Sequence, residues 1–466
     1  MPVLTRRSED PERAPEAHTV PAAVASLGLR FPTGFVWGAA TSAYQIEGAA
    51  TEDGRGTSVW DTFCATPGKV RNGETGDVAA NHYHLYESDL DLMRSIGLSS
   101  YRFSIAWPRV VPDGRGPVNT KGLDFYKRLV DGLHRRGITP MATLYHWDTP
   151  QTLQDEGGWE NRDTAYRFAE YAAAVTAALG DSVPTWLTLN EPKTVVQNGY
   201  LNGGHAPGFR EQLSRAYVVA HHLLLAHGLA VQAMRPHLES ARIGPALNLH
   251  PCYPAEDTAE AAGQTYLMDG FENRLYLDPI LRGDYPQDTL AAIAKFSPMA
   301  AFVQDEDLKI ISSPVDLLAV QYYTPIYVTA TGETVQKHPL SEAFWQQIYP
   351  QGLTDILLRI KEDYGDIPIS ITENGLPCPD VLNGADTVDD EGRIAFLRDH
   401  FAAAHAAVSQ GVRLESYHVW SLMDNFEWQE GYDQRWGLIY VDYATQRRIP
   451  KRSALWYSEV IRANGV

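Results

Sequence analysis

Two short stretches of the chain share one pattern. TWLTLNEP (185–192) and PISITENG (368–375) each run through apolar and β-branched residues and end on a glutamate beside an asparagine: Glu191 after Asn190, and Glu373 before Asn374. Such a run, bounded by a turn signal, reads as a strand entering a core. Burying an unpaired carboxylate there costs several kcal/mol or shifts its pKa. A lone glutamate at a strand end therefore reads as a solvated loop residue, whereas two in matching settings read as a pair. Paired carboxylates suit the cleavage of a glycosidic bond. One protonates the poor leaving oxygen, and the other attacks the anomeric carbon or activates water against it. A separation of about 5–5.5 Å gives retention and about 6.5–9.5 Å gives inversion. The residues alone fix neither that distance nor which glutamate is the acid.

The pair must be brought together by the elements around it. Five times an amphipathic segment stops at a glycine and a short apolar run follows. RSIG leads to LSSYRFSIAW, HRRG to ITPMATLYHW, AALG to DSVPTWLTLNEP, EDYG to DIPISITENG, and VSQG to VRLESYHVWS. Glycine just past a helix end is a common C-terminal stop. The segments before it carry helical spacing, as in Leu123, Tyr126, Leu129, Val130 and Leu133. Three more strand candidates, near 34–42, 241–249 and 316–324, complete a set of eight. Strands alternating with helices should be parallel. Eight units without a GxGxxG after the first strand favour a single (β/α)8 barrel over a dinucleotide-binding sheet. The barrel is expected over residues 31–466, with long loops after strands one, five and six. Residues 1–30, rich in Pro, Ala, Arg and Glu, read as a flexible N-terminal extension.

Active sites of such barrels lie at the C-terminal ends of the strands. There the sequence places Gln45 and Glu47, Arg102 and Trp107, His146-Trp147-Asp148, Asn190-Glu191, Gln321-Tyr322-Tyr323, Glu373-Asn374, and finally Trp420, Asp424, Glu427 and Trp428. Carboxylates, amides, one histidine and several tryptophans thus gather on one rim.

Composition narrows the function classes. The 466 residues carry 39 Lys plus Arg against 58 Asp plus Glu, a net charge of −19, which argues against nucleic acid as a partner. No uninterrupted apolar run of about 18 residues predicts a membrane span. Three scattered cysteines, Cys64, Cys252 and Cys378, give no disulfide framework or metal spacing and suit a reducing cytoplasm. Arg6-Arg7 is followed by acidic residues rather than by a clear apolar export segment. No phosphate loop, dinucleotide fingerprint or Ser-His-Asp arrangement is present, so neither cofactor nor metal is expected. His82 with His84, His221 with His222, and Asp424 read as structural. The basic run Arg447-Arg448 with Lys451-Arg452 reads as a solvated face.

At these residues the chain resembles glycoside hydrolase family 1, the retaining β-glucosidase family, from Phe31 to about Tyr457. The motifs are FPTGFVWGAATSAYQIEG, YRFSIAWPR, TLYHWDTPQ, TLNEP, ITENG and WSLMDNFEWQEGY, in order and each near a strand end. The resemblance implies that Glu191 is the acid/base and Glu373 the nucleophile, held by Arg102 and Tyr323. It implies that Gln45, His146, Asn190, Glu427 and Trp428 bond sugar hydroxyls, with Trp147 also at the substrate and Trp420 as the platform under the ring. Small β-glucosides or cello-oligosaccharides are the implied substrates, with β-galactosides and β-fucosides as extensions. Transglycosylation, and a sugar-binding protein without catalysis, are the alternatives. Two positions depart from the family pattern. Gln321 stands where Asn is usual, and Lys193 where a large apolar residue is common.

Overall fold

The computed structural model describes residues 27–466, except 211, 212, 298 and 385. All eight expected strands form: β1 (Val36–Ala40), β2 (Ser100–Ser104), β3 (Thr139–Tyr145), β4 (Thr185–Asn190), β5 (Arg242–Asn248), β6 (Leu318–Gln321), β7 (Ile369–Glu373) and β8 (Leu414–Trp420). They pair in parallel and close on themselves, with β1 joining β8 from Val36↔Ser416 to Ala40↔Trp420 and joining β2 at Gly38↔Ser100. Every residue of β2, β4, β6 and β7 is buried. These strands face side chains on one side and helices on the other, so they read as nearly continuous apolar runs.

The helix-stop glycines behave as their positions predict. Gly97, Gly137, Gly180, Gly365 and Gly411 all have positive φ, which L-residues with a Cβ adopt at a cost. The stops turn the chain back toward the barrel after helices such as His82–Ile96, Thr120–Arg135 and Gln351–Tyr364. The connections 41–99, 249–317 and 322–368 are long, as expected, and carry short helices and strands of their own.

Two expectations need correction. Leu29, placed in the extension, exchanges backbone hydrogen bonds with Val466 at 2.8 and 3.0 Å, so folded structure begins before residue 31; residues 1–26, including Arg6-Arg7, lie outside the described residues. The helix Leu213–Met234 is the long apolar helix of the interior. It is mostly buried and packs against the helix Asp163–Leu179. The basic run is not one solvated face. Lys451 is fully buried, bonded to Asp424 at 2.6 Å and to Asp380, and Arg448 pairs with buried Asp89 at 2.8 Å. Only Arg447 and Arg452 keep exposed side chains. Charge runs in sequence carry no sign of direction, and here adjacent residues part ways: Arg447 faces out and Arg448 in, Lys451 in and Arg452 out.

Lys451 neutralises carboxylates that would otherwise repel one another in the interior. Lys451→Met should lower stability by about 3–5 kcal/mol, the cost of stranding buried charge. Arg447→Ala should stay within about 0.5 kcal/mol. Thermal melts of the two variants beside the unaltered protein check this: a clear fall in Tm for the first and none resolved for the second.

Candidate active site

The two glutamates reach the barrel mouth through local departures from regular strand. The β6–β7 register shifts between Ile371 and Glu373, setting Glu373 opposite Gln321. The β4–β5 register shifts between Leu187 and Asn190, just before Glu191. Such irregularities re-aim a side chain beside a site. Glu191 then takes φ 46°, a left-handed conformation. Its N–H is held by the Ala246 carbonyl at 2.9 Å. Trp147 (φ 76°) and Trp428 (φ 53°) are left-handed as well. Strained backbone of this kind costs of order 1–3 kcal/mol and clusters at functional sites.

Glu373 is the most heavily bonded carboxylate in the mouth. Its Oε1 accepts from Arg102 Nη1 at 2.5 Å and from Gln321 Nε2 at 2.8 Å, and its Oε2 from the Tyr323 hydroxyl at 2.9 Å. Arg102, fully buried, also donates through Nη2 to Asn190 Oδ1 at 2.5 Å and through Nε to Thr143 at 3.1 Å. Gln321 reaches the same Asn190 oxygen at 2.7 Å. The extra methylene of Gln321 therefore joins the two strands that carry the glutamates.

Glu191 has a different setting. Its Oε2 accepts one bond, from the Thr194 hydroxyl at 2.8 Å. Burial, and then the charge of Glu373, push its carboxyl up to about 8. Burial raises Glu373 too, but Arg102 and Tyr323 oppose that rise, so Glu373 is the member of the pair that ionises first. Glu427 is also pushed up to about 8, by burial and by its two acidic neighbours. Burial and mutual repulsion thus favour the protonated forms of Glu191 and Glu427, while Arg102 and Tyr323 favour the anion on Glu373.

The remaining expected site residues sit around this trio. His146, neutral through burial and the nearby Arg102, has Nε2 3.2 Å from the Asn190 amide nitrogen. That contact makes Nε2 an acceptor and puts the proton on Nδ1, which is buried without a partner among the described residues. It is a donor left for a hydroxyl. Gln45 spends both amide hydrogens, on Asn425 Oδ1 and the Phe426 carbonyl at 2.9 Å each, and its Oε1 takes one bond from Ser42. Trp147 spends its indole N–H on the Asn190 carbonyl at 2.9 Å, so it offers the site an aromatic face. That face lies 4.7 Å from the ring of Trp428, which also packs on Trp60 at 4.4 Å. Trp420 lies 6.0 Å from the His146 ring.

Several rim residues stay outside the cluster. Glu47 pairs with Arg109 at 2.9 Å and takes the Tyr126 hydroxyl at 2.7 Å. Trp107 stacks on Tyr171, and Tyr322 bonds the Tyr349 carbonyl. Asn374 ties the Tyr322 carbonyl to the Tyr417 hydroxyl, and Asp424 takes Lys451. Asp148 is buried apart and pushed up to about 7. Gly375, expected to serve a turn, is required by close approach instead: a Cβ there would meet the Trp420 carbonyl oxygen at 1.7 Å. His82 bonds Asp89, and His221 bonds Tyr285 and Asp307, so these histidines are structural. Sequence reasoning missed Asn425, Thr194 and Asn248 as supports of the site. Each is a common loop or strand-end residue, and only the fold shows what it touches.

A closed barrel with an acidic pair in an aromatic-walled mouth is the constitution of a barrel glycosidase. The comparisons with known proteins agree. The sequence model of Glycosyl hydrolase family 1 matches residues 28–466. Beta-glucosidase A of Acetivibrio thermocellus is 46% identical over 447 residues, covering 94% of this chain and 99% of that protein. The bifunctional beta-D-glucosidase/beta-D-fucosidase of Bifidobacterium breve is 43% identical, covering 93% and 99%. The family 1 β-glucosidase of Thermotoga maritima, solved with isofagomine lactam, superposes with a TM-score of 0.90 at 43% identity, covering 94% of this chain and all of that one. The chain belongs to glycosyl hydrolase family 1, and is a glycoside hydrolase.

Gln321 supplies one of the two hydrogen bonds on Glu373 Oε1. Gln321→Asn shortens the reach and should lose a bond to a charged group, worth about 1.5–3 kcal/mol. A fall of about tenfold or more in kcat/KM is expected. Steady-state kinetics with an aryl β-glucoside check it, and a change under about twofold would mean that Arg102 and Tyr323 suffice to hold Glu373.

Proposed function

We propose that this protein hydrolyses terminal, non-reducing β-D-glucosyl residues from small β-glucosides or cello-oligosaccharides, with Glu373 as nucleophile and Glu191 as acid/base. The observation that carries the assignment is the asymmetry of the pair. Glu373 receives a guanidinium, an amide and a phenol, whereas Glu191 receives one hydroxyl. The first is stabilised as an anion and aimed. The second keeps its proton near neutrality.

The reaction follows in two steps. Glu373 forms a bond to the anomeric carbon as the glycosidic bond breaks, and the departing oxygen takes the proton of Glu191. Esterified Glu373 no longer carries charge, so the pKa of Glu191 falls. Glu191 then takes a proton from water as the water oxygen displaces Glu373 from the same carbon. Two inversions give retention. His146 Nδ1, the free lone pair of Gln45, and Glu427 are the groups we assign to the sugar hydroxyls, with Trp420 and Trp428 as apolar faces. Glu427, as a carboxylic acid, both donates and accepts, which suits adjacent hydroxyls of either orientation. The dual name of the Bifidobacterium relative supports β-fucosides as further substrates. The free thiols of Cys64, Cys252 and Cys378 support a cytoplasmic setting.

Release of p-nitrophenol from its β-glucoside tests the nucleophile. Glu373→Gly should lose orders of magnitude in rate, and azide should restore product with inverted configuration. Near-unaltered activity in that variant would refute the role of Glu373. The acid is tested by pH. Only protonated Glu191 can donate, so kcat/KM should fall as pH rises through about 8. Glu191→Gln should abolish that alkaline limb.

A further inference from the structure

Glu191 follows β4, and its single hydrogen-bond donor comes from the turn after it. Thr194 Oγ1 donates to Glu191 Oε2 at 2.8 Å. A threonine hydroxyl has one proton and is free to rotate, so by itself it could donate or accept. Here a second contact removes the choice. Asn248, the last residue of β5, donates its amide Nδ2 to the same Thr194 oxygen at 2.9 Å. An amide nitrogen cannot accept, so the Thr194 proton must point the other way, to Glu191. The relay runs in one direction, Asn248 to Thr194 to Glu191. Oε2 is thereby held as an acceptor whatever the protonation state of the carboxyl.

We propose that Asn248 and Thr194 are positioning residues that confine the transferable proton of the acid/base to Glu191 Oε1. The inference rests on the assignment of Glu191 as acid/base. With Oε2 occupied by a donor, the neutral carboxyl carries its hydrogen on Oε1, and proton delivery and proton uptake use that one oxygen. The relay also favours the anion of Glu191, because a hydroxyl donor bonds a carboxylate more strongly than an acid. It therefore eases the second step, in which Glu191 must act as base. The charged and titratable groups that face Glu191 are Glu373 on β7, Glu427 beyond β8, Tyr323 beyond β6, Arg102 on β2 and Lys193 on its own turn. None of these changes when Thr194 is replaced.

The test compares Thr194→Val with Thr194→Ser. Valine keeps the volume and removes the donor; serine keeps the donor. In Thr194→Val the alkaline limb of kcat/KM for p-nitrophenyl β-glucoside should move to higher pH by about half a unit or more. With 2,4-dinitrophenyl β-glucoside, whose leaving group needs no acid, kcat should drop several-fold and azide should restore turnover, because the base-assisted step is the one impaired. Thr194→Ser should return both readouts toward those of the unaltered enzyme, and Asn248→Ala should move the limb in the same direction as valine. A valine variant with an unmoved limb and an unchanged dinitrophenyl rate overturns the relay, as does one with a lower Tm and a uniformly lower rate at all pH values. Glu191→Ala run beside them separates the two claims. If it retains ordinary activity on p-nitrophenyl β-glucoside, the acid/base assignment itself is wrong. If it shows azide-rescued turnover of the dinitrophenyl substrate while Thr194→Val is silent, only the relay is wrong.

Discussion

The buried ion pair of Arg102 and Glu373 is the constraint on which both the barrel interior and its chemistry depend. A guanidinium cannot lose its charge in a protein, so burying one requires that its donors be used. Arg102 uses them on four acceptors from three strands: Thr143 of β3, Asn190 of β4, and both the Thr372 carbonyl and the Glu373 carboxylate of β7. It crosses the barrel from β2 and ties the strand of one glutamate to the strand of the other. The same contacts decide which glutamate ionises. Stabilising the Glu373 anion and closing the top of the barrel are therefore one interaction.

The rest of the mouth adjusts to that single cation. Glu191 and Glu373 are buried and Glu427 beside them is half-buried, and like charges in such a space repel through a low dielectric. With one guanidinium among them, only one can be an anion cheaply. The barrel thus sets protonation states by counting charge. Burial is the larger cause that raises Glu191, and the charge of Glu373 is the second. On the roles proposed above, esterification of Glu373 would withdraw that second cause and let Glu191 act as a base.

How far this was legible in the sequence follows from what each feature depends on. The strands were readable because parallel barrel strands are buried on both faces, and helix ends were readable because Gly97, Gly137, Gly180, Gly365 and Gly411 serve a backbone need that no other residue meets as well. Glu191 and Glu373 stood out because a carboxylate interrupts an apolar run. The left-handed turns at Trp147, Glu191 and Trp428 left no such mark, since each is fixed by tertiary contacts rather than by residue type. Lys451 was misread for a related reason. A lysine in a basic run is ordinarily solvated, and its two carboxylate partners, Asp380 and Asp424, lie 71 and 27 residues away. Gly375 looked like a turn residue, yet what excludes a side chain there is a carbonyl from β8.

Lys193 shows how a departure from the family pattern can be absorbed. An unpaired ammonium two residues from the acid would favour the ionised form of Glu191 and weaken it as a proton donor. The fold gives that charge a partner of its own. Lys193 is buried against Glu272, 3.0 Å away, and lies 3.4 Å from His250 Nδ1. The lysine holds Glu272 well below the usual carboxylate range, so the two form a fixed pair of opposite charges. The field of such a pair falls off faster with distance than that of a lone cation. Gln197 takes up the other oxygen of Glu272 at 2.9 Å, which keeps the carboxylate turned to the lysine rather than to the site. Lys193 still favours the ionised form of Glu191, but burial and the charge of Glu373 outweigh it, and the carboxyl is pushed up to about 8.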